Sequence, residues 1–232
     1  MKNFKTVFIL LILLISTSTT VAHALFVETN GTGKIGQSQK ILIYYKEPSD
    51  PKKELIKDWW SDTKDFTLWL IQPDGTKEKL STNQENDHFT ASFLPTQNGN
   101  YYVAVHHTVE SLAGNIQYQF NASAIVKVGN PDTVSNQDKI SDQLLMFKTN
   151  SSSKKELSIA IVNNGVLLAD TYVTVVAPGG WGKGLKTNAE GVISFTPEWT
   201  GLYLFETSVK ENSTNQEYTK RERIITTTVI FK

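Results

Sequence analysis

No cysteine occurs among the 232 residues. That absence excludes a disulfide framework, thiolate metal ligands and a lipid-modified cysteine behind a leader. Long apolar runs are also missing. The one unbroken stretch, Val7–Ile15, is far short of the roughly 20 apolar residues that a bilayer-crossing helix needs. Neither sign of charge prevails, with 23 basic and 23 acidic residues. Removing the first 22 residues takes away two lysines and no acids, and the slight acidic excess argues against nucleic acid as a partner. Catalytic signatures are absent too. There is no Gly-x-Ser-x-Gly, no phosphate loop and no cysteine nucleophile. Gly31-x-Gly33-x-x-Gly36 spells a dinucleotide fingerprint but leads into a predicted strand, not a helix, so it is rejected. The chain reads as a non-enzyme.

What is present begins with an export signal over residues 1–22. Lys2 and Lys5 precede the apolar run, and Ser16–Thr20 leads to small residues, as in a secretory leader. Two cuts fit the small-x-small rule. Cleavage after Ala22 leaves His23 first, and cleavage after Ala24 leaves Leu25 first. Either gives a soluble protein of the periplasm or cell surface, with no membrane-spanning segment in the mature chain.

Strands follow at short intervals. Expected strands are Leu25–Thr29, Gln39–Tyr45, Phe66–Ile71, Lys77–Leu80, His88–Phe93, Asn100–His107 and Tyr118–Val128, several of them alternating. A helix is expected within Lys46–Lys64, because Leu55/Trp59 and Ile56/Trp60 are i,i+4 pairs. Seven short strands in about 100 residues suggest an immunoglobulin-like sandwich spanning 23–128. A polar linker, 129–142, leads to a second domain, 143–232. Its expected strands are Leu144–Lys148, Glu156–Val162, Tyr172–Ala177, Gly184–Lys186, Val192–Phe195, Leu202–Ser208 and Glu222–Phe231.

The halves share a literal repeat. Phe93 to Tyr101 and Phe195 to Tyr203 both read F-x-P-x-x-x-G-x-Y. The turn Pro73-Asp74-Gly75 has a counterpart in Pro178-Gly179-Gly180. A Gly-x-Tyr opening a late strand predicts a tyrosine corner, in which the phenol bonds back to nearby backbone. The fold expected is therefore all-β: two tandem immunoglobulin-like or transthyretin-like β-sandwiches, with a short helical insertion in the first.

All four histidines, His23, His88, His106 and His107, lie in the first half. In an alternating antiparallel sandwich, the start of the first strand, the start of the fifth and the end of the sixth share one pole. The expected metal site draws on His23, His88, His106 and His107, with Asp87 and Glu28 as oxygen ligands. Glu47, Trp59, Trp60 and Glu110 are neighbours. Adjacent residues of a strand point to opposite faces, so only one of His106 and His107 joins the cluster. His106 is preferred because His107 belongs to the inward Tyr101–Val105 set. An N-terminal His23 would add its α-amine to its imidazole, and such nitrogen donors suit copper, nickel and zinc. A closed structural zinc site is disfavoured without cysteine. Against this stands the plainer reading of histidines as incidental strand residues. Trp59 and Trp60 fit packing better than a sugar platform, and Lys154-Lys155 and Lys220–Arg223 fit charged strand edges.

The junction His23-Ala24-Leu25-Phe26-Val27-Glu28, followed by sandwich strands, resembles an exported family of unknown function. That family is grouped with periplasmic, substrate-specific components of nickel and cobalt uptake. The resemblance spans nearly all of 23–232, with Phe26 where tryptophan is common. Residues 162–173 and Thr187–Phe195, with the cadence T-N-A-E-G-x-x-x-F, resemble transthyretin-like and carboxypeptidase-regulatory-like modules. The resemblance implies binding and delivery of a divalent transition metal, accessory to uptake or homeostasis, with a membrane transporter component as partner. It favours nickel or cobalt, whereas the ligand chemistry favours copper. Small copper-binding periplasmic sandwiches that begin with histidine are a second resemblance. Their methionine-rich segment is missing, Met146 being the one methionine after the leader. Two alternatives stand beside metal delivery: a non-catalytic adhesion or carrier module binding protein or glycan, and a copper oxygenase of the histidine-brace type.

Overall fold

The computed structural model describes residues 23–50, 52–129, 146–153, 156–163 and 165–232. The expected leader, the linker from residue 130 onward, Leu144 and the Lys154-Lys155 pair lie outside them. Among the described residues, seventeen strands are formed. The first half holds β1 (Ala24–Thr29), β2 (Thr32–Gly33), β3 (Gln39–Lys46), β4 (Thr67–Ile71), β5 (Lys77–Leu80), β6 (Asn83–Gln84), β7 (Phe89–Phe93), β8 (Gly99–Ala113) and β9 (Ile116–Val128). The second holds β10 (Met146–Ser153), β11 (Glu156–Asn163), β12 (Val166–Leu167), β13 (Tyr172–Val176), β14 (Gly182–Lys186), β15 (Val192–Phe195), β16 (Gly201–Asn212) and β17 (Lys220–Phe231). The protein is all-β and built of sandwiches, as the strand pattern predicts.

The F-x-P-x-x-x-G-x-Y repeat opens the long hairpin of each half, β8–β9 and β16–β17. Tyr101 receives the Thr96 and Gln97 N–H groups on its hydroxyl oxygen and donates to the Gln97 carbonyl at 3.1 Å. Tyr203 does the same at Trp199, receiving its N–H at 3.0 Å and donating to its carbonyl at 3.1 Å. Both are tyrosine corners. The glycine two residues earlier is required because Gly99 and Gly201 sit at φ 135° and 128°, where side chains are strongly disfavoured. The T-N-A-E-G cadence is a turn as well. The Asn188 side chain accepts the N–H groups of Glu190 and Val192, and Thr187 donates to the Leu168 carbonyl.

The helix expected near Leu55 is instead two 3-10 turns, Ile56–Asp58 and Thr63–Asp65. A 3-10 helix repeats every three residues. Ile56 and Trp59 are therefore the pair that is buried together, while Leu55 is 43 % exposed. Trp60 turns its edge onto Tyr118, with ring centroids 5.7 Å apart.

The joint between the halves is a feature the strand pattern did not reveal. The last strand, β17, pairs in parallel with β9, from Lys220 beside Ile116 to Thr228 beside Ala124. One nine-stranded sheet, in the order β14-β13-β16-β17-β9-β8-β4-β5 with β2 added on β9, thus runs through both halves. Side chains alternate along each strand, and the two cores lie on opposite faces of this sheet. Ile224 packs with Tyr101, Val103 and Phe120 against β1, β3 and β7. Its neighbour Ile225 packs with Tyr203, Phe205 and Val173 against β11 and β15. Threonine hydroxyls fasten the joint. Thr226 and Thr228 donate to the Leu25 and Val27 carbonyls of β1 at 2.6 and 2.5 Å, and Thr227 donates to the Ser123 carbonyl at 3.1 Å. Buried and satisfied, each such bond is worth about 1 kcal/mol net.

Candidate functional site

His23 stands directly before β1 and shares the inward face with Leu25. Leu25 is opposite Tyr45 on β3, so the imidazole lies on the Tyr45 ring, with centroids 5.4 Å apart. Tyr45 in turn meets Trp59 and Phe120. Burial, reinforced by the charge of Glu54, pushes the Tyr45 phenol up to about 12, so it stays a neutral platform. Both ring nitrogens of His23 face carboxylates. Nε2 is 3.2 Å from Glu54 Oε1 and Nδ1 is 3.8 Å from Glu47 Oε1. A carboxylate can only accept, so the bond to Glu54 places the proton on Nε2 of the neutral ring and leaves the Nδ1 lone pair free. The indole N–H of Trp59 donates to the Glu54 backbone carbonyl at 3.2 Å and pins that segment.

The other expected ligands go elsewhere. His88 lies against Tyr44, with ring centroids 5.1 Å apart, and its Nδ1 donates to Asp87 at 2.6 Å. That bond, with burial opposing, holds Asp87 below the usual carboxylate range. Tyr44 and Tyr45 are consecutive in a strand, so His88 and His23 sit on opposite faces of the β1-β3-β7 sheet. Glu28 pairs with Lys46 at 2.7 Å. His106 donates from Nδ1 to Asn121 on β9 at 2.9 Å. Burial holds its pKa down, against the pull of that bond. His107 faces the opposite way, 3.1 Å from Asp62. Burial pushes Asp62 up, but the Glu110 N–H, the Ser61 hydroxyl and His107 outweigh it and leave the carboxyl low. The expected cluster of His23, His88 and His106 with Asp87 and Glu28 does not form. Strand alternation splits residues that share a pole between two faces. Among the described residues, no group of three or more His, Cys, Asp or Glu is arranged to hold a metal ion.

Sequence reasoning missed a cleft at the joint. The loop after β3 brings Pro48 and Ser49 over the outer face of β13, β16 and β17. This borders an open cleft of ≈ 810 Å³ whose lining includes Tyr172, Thr174, Glu206, Ser208, Glu222 and Ile224. Asp170, at its edge, pairs with Lys186 at 2.7 Å, and Glu222 with Lys210 at 3.4 Å. Glu206 has no such cation. Its Oε2 is enclosed without a hydrogen-bond partner, and burial pushes its carboxyl up to about 7. In the sequence Glu206 alternates with Phe205 and Thr207 as any solvent-facing strand residue would. The loop from the other half lines the same cleft. Also in the second half, Trp181 and Trp199 are exposed, with ring centroids 5.9 Å apart.

No family model matches the chain, and no curated protein matches it. Among solved structures it is similar to a DUF4785 family protein of Legionella pneumophila, with 13 % identity and a TM-score of 0.32 over 77 % of this chain and 51 % of that one. It is also similar to a trypsin-activated alpha-2-macroglobulin of Escherichia coli, with 9 % identity and a TM-score of 0.27 over 94 % of this chain and 16 % of that one. A segment of two fibronectin type-III domains from chicken tenascin covers 85 % of this chain and 95 % of its own, with 10 % identity and a TM-score of 0.24. The chain thus spans about half of the Legionella protein and a sixth of the macroglobulin. Likenesses this distant carry no argument about site or function. No helix among the described residues is long and apolar enough to cross a membrane.

Proposed function

We propose that this is an exported, non-enzymatic protein that binds a divalent transition metal through His23 and delivers it to an uptake or homeostasis system. The observation that carries the reading is the orientation of His23. With Nε2–H given to Glu54, the free Nδ1 faces Glu47. Cleavage after Ala22 would free the α-amine of the same residue, and amine plus Nδ1 form a chelate. Glu47 would complete the set with an oxygen, and Glu54 would orient the ring from behind, as carboxylates do for metal-bound histidines. Copper and nickel suit such nitrogen-rich sites best. The site is narrower than a four-histidine cluster and depends on the leader being cut at one position.

The test uses protein exported through its own leader, with its first residue read by mass spectrometry. Copper, nickel and zinc are then titrated by calorimetry. One ion is expected to bind a chain starting at His23. Affinity should fall at least about 100-fold in His23→Ala or with an added N-terminal Met, and about tenfold in Glu47→Gln or Glu54→Gln. Tight binding that survives the added Met would sink the proposal.

The rival reading, a module that binds protein or glycan, draws support from the exposed Trp181–Trp199 pair. Quenching of tryptophan fluorescence by oligosaccharides, lost in Trp181→Ala, would favour it. A histidine brace has less support, because His88 faces away from His23.

A further inference from the structure

We infer that the cleft at the joint is a second binding site, independent of His23, and that it takes the ammonium group of an organic amine. The volume of the cleft, ≈ 810 Å³, is in the range of a small-molecule site, and such sites orient their ligands with a few placed polar groups. Its lining contains three carboxyl groups and no basic side chain, so an anionic ligand finds no partner. Two of the three carboxyls are already neutralised by Lys186 and Lys210, leaving Glu206 as the group without a cation. Glu206 is half-buried, and its enclosed Oε2 lacks a partner, a costly arrangement that an ammonium ion would relieve. The hydroxyls of Ser49, Thr174 and Ser208 in the same lining can accept its remaining N–H groups. The Tyr172 ring at the rim already holds the Lys186 ammonium 5.1 Å from its centroid, as cation–π attraction allows.

Occupancy is coupled to protons. Burial keeps Glu206 protonated up to about pH 7, while an alkylamine stays charged to about pH 10. Binding the cation therefore expels the Glu206 proton. The charged groups nearest the cleft are Asp170, Glu222, Lys186 and Lys210, with Lys46 at the end of β3 and Glu47 and Asp50 on the loop after it. Asp170, Glu222, Lys46 and Glu47 each face a partner of opposite charge or a histidine, and Asp50 caps the Lys52 N–H. The ammonium could belong to a free amine or to a lysine side chain of a partner.

The experiment titrates the purified chain calorimetrically with putrescine and, separately, with the peptide acetyl-Gly-Lys-Gly-amide, from pH 5 to 8 in two buffers of different ionisation enthalpy. One saturable site is expected, with affinity rising about tenfold from pH 5 to 6, levelling above pH 8, and releasing up to about one proton at the acidic end. Preference for putrescine identifies a free amine as the ligand, and preference for the peptide identifies a lysine side chain. Glu206→Gln should weaken binding about tenfold or more at pH 8 and flatten its pH profile. Thr174→Lys places a tethered ammonium across from Glu206, its partner in register, and should abolish amine binding in a folded protein. No saturable binding of either amine, a flat pH profile in the unaltered chain, or tighter binding of neutral cellobiose would overturn the inference.

Discussion

The two halves are the same device mounted on opposite faces of one sheet, and they differ in what their outer faces carry. Aligning the tyrosine corners sets Tyr102 against Leu204, Ala104 against Glu206 and His106 against Ser208. In the first half the outer face is closed. Ile71, Tyr102, Ala104 and Ile125 form a small buried cluster of their own, and burial pushes the partnerless Tyr102 phenol far above its ordinary range. In the second half the corresponding face is a cleft with a half-buried carboxyl in its lining. The frame is repeated while the outer surface is not. The first half adds a further difference: it alone has histidines, and it alone contributes the loop that roofs the cleft.

The comparison would be broken most forcefully by Phe205→Ala. Phe205 is fully buried in the second core, and such truncations cost about 3–5 kcal/mol. Because β17 belongs to both halves, amides of β8 and β9 should lose hydrogen-exchange protection together with those of β16. Protection retained in the first half alone would mean that the halves are independent.

Next in size is the pH dependence set by Glu206. Its carboxyl is raised from 4.5 to about 7 in the folded chain, so the native state keeps a proton that the unfolded chain has released. Stability should therefore fall as pH rises between those two values, by up to about 3 kcal/mol from this group. Melting curves of the wild type and Glu206→Gln, compared from pH 4 to 8, read that slope. Ala104→Glu would ask whether the first half tolerates the same group, and greater destabilisation there is expected because no cleft receives it.

The smallest effect tests the likeness itself. Tyr101→Phe and Tyr203→Phe each remove a phenol that bonds its own corner, for about 1–2 kcal/mol apiece. Equal costs, read by urea denaturation, support equivalent corners, whereas a large imbalance would show that one corner is no longer needed.

Much of the frame was legible in the residues. Alternation in Gln39–Tyr45 and His88–Phe93 reported strands because one face is buried, and the repeat ending at Tyr101 and Tyr203 reported its corners because only glycine can precede them. The 3-10 turns at Ile56 and Thr63 were not legible, since apolar residues at spacing four look alike whether or not a full α-helix forms. The metal cluster failed for a related reason. Order along the chain tells which pole a residue occupies, but the face is fixed by register: His23 followed Tyr45 inward while His88 followed Tyr44 outward. Glu206 was invisible because the cleft it lines is completed by Pro48 and Ser49, more than 150 residues away in the chain.

The parallel pairing of β9 with β17 also sets an order of assembly. Residues 220–228 are made long after residue 128, yet they cover an edge that exists as soon as residue 128 has emerged. Until then the first half presents β9 as an open edge, a template for pairing with other chains, and the carbonyls of Leu25 and Val27 wait for hydroxyls 201 positions downstream. Closure over such a distance is slow. A chain truncated before β17 should therefore aggregate rather than fold as a free-standing sandwich, and β17 acts as the latch that ends this exposure.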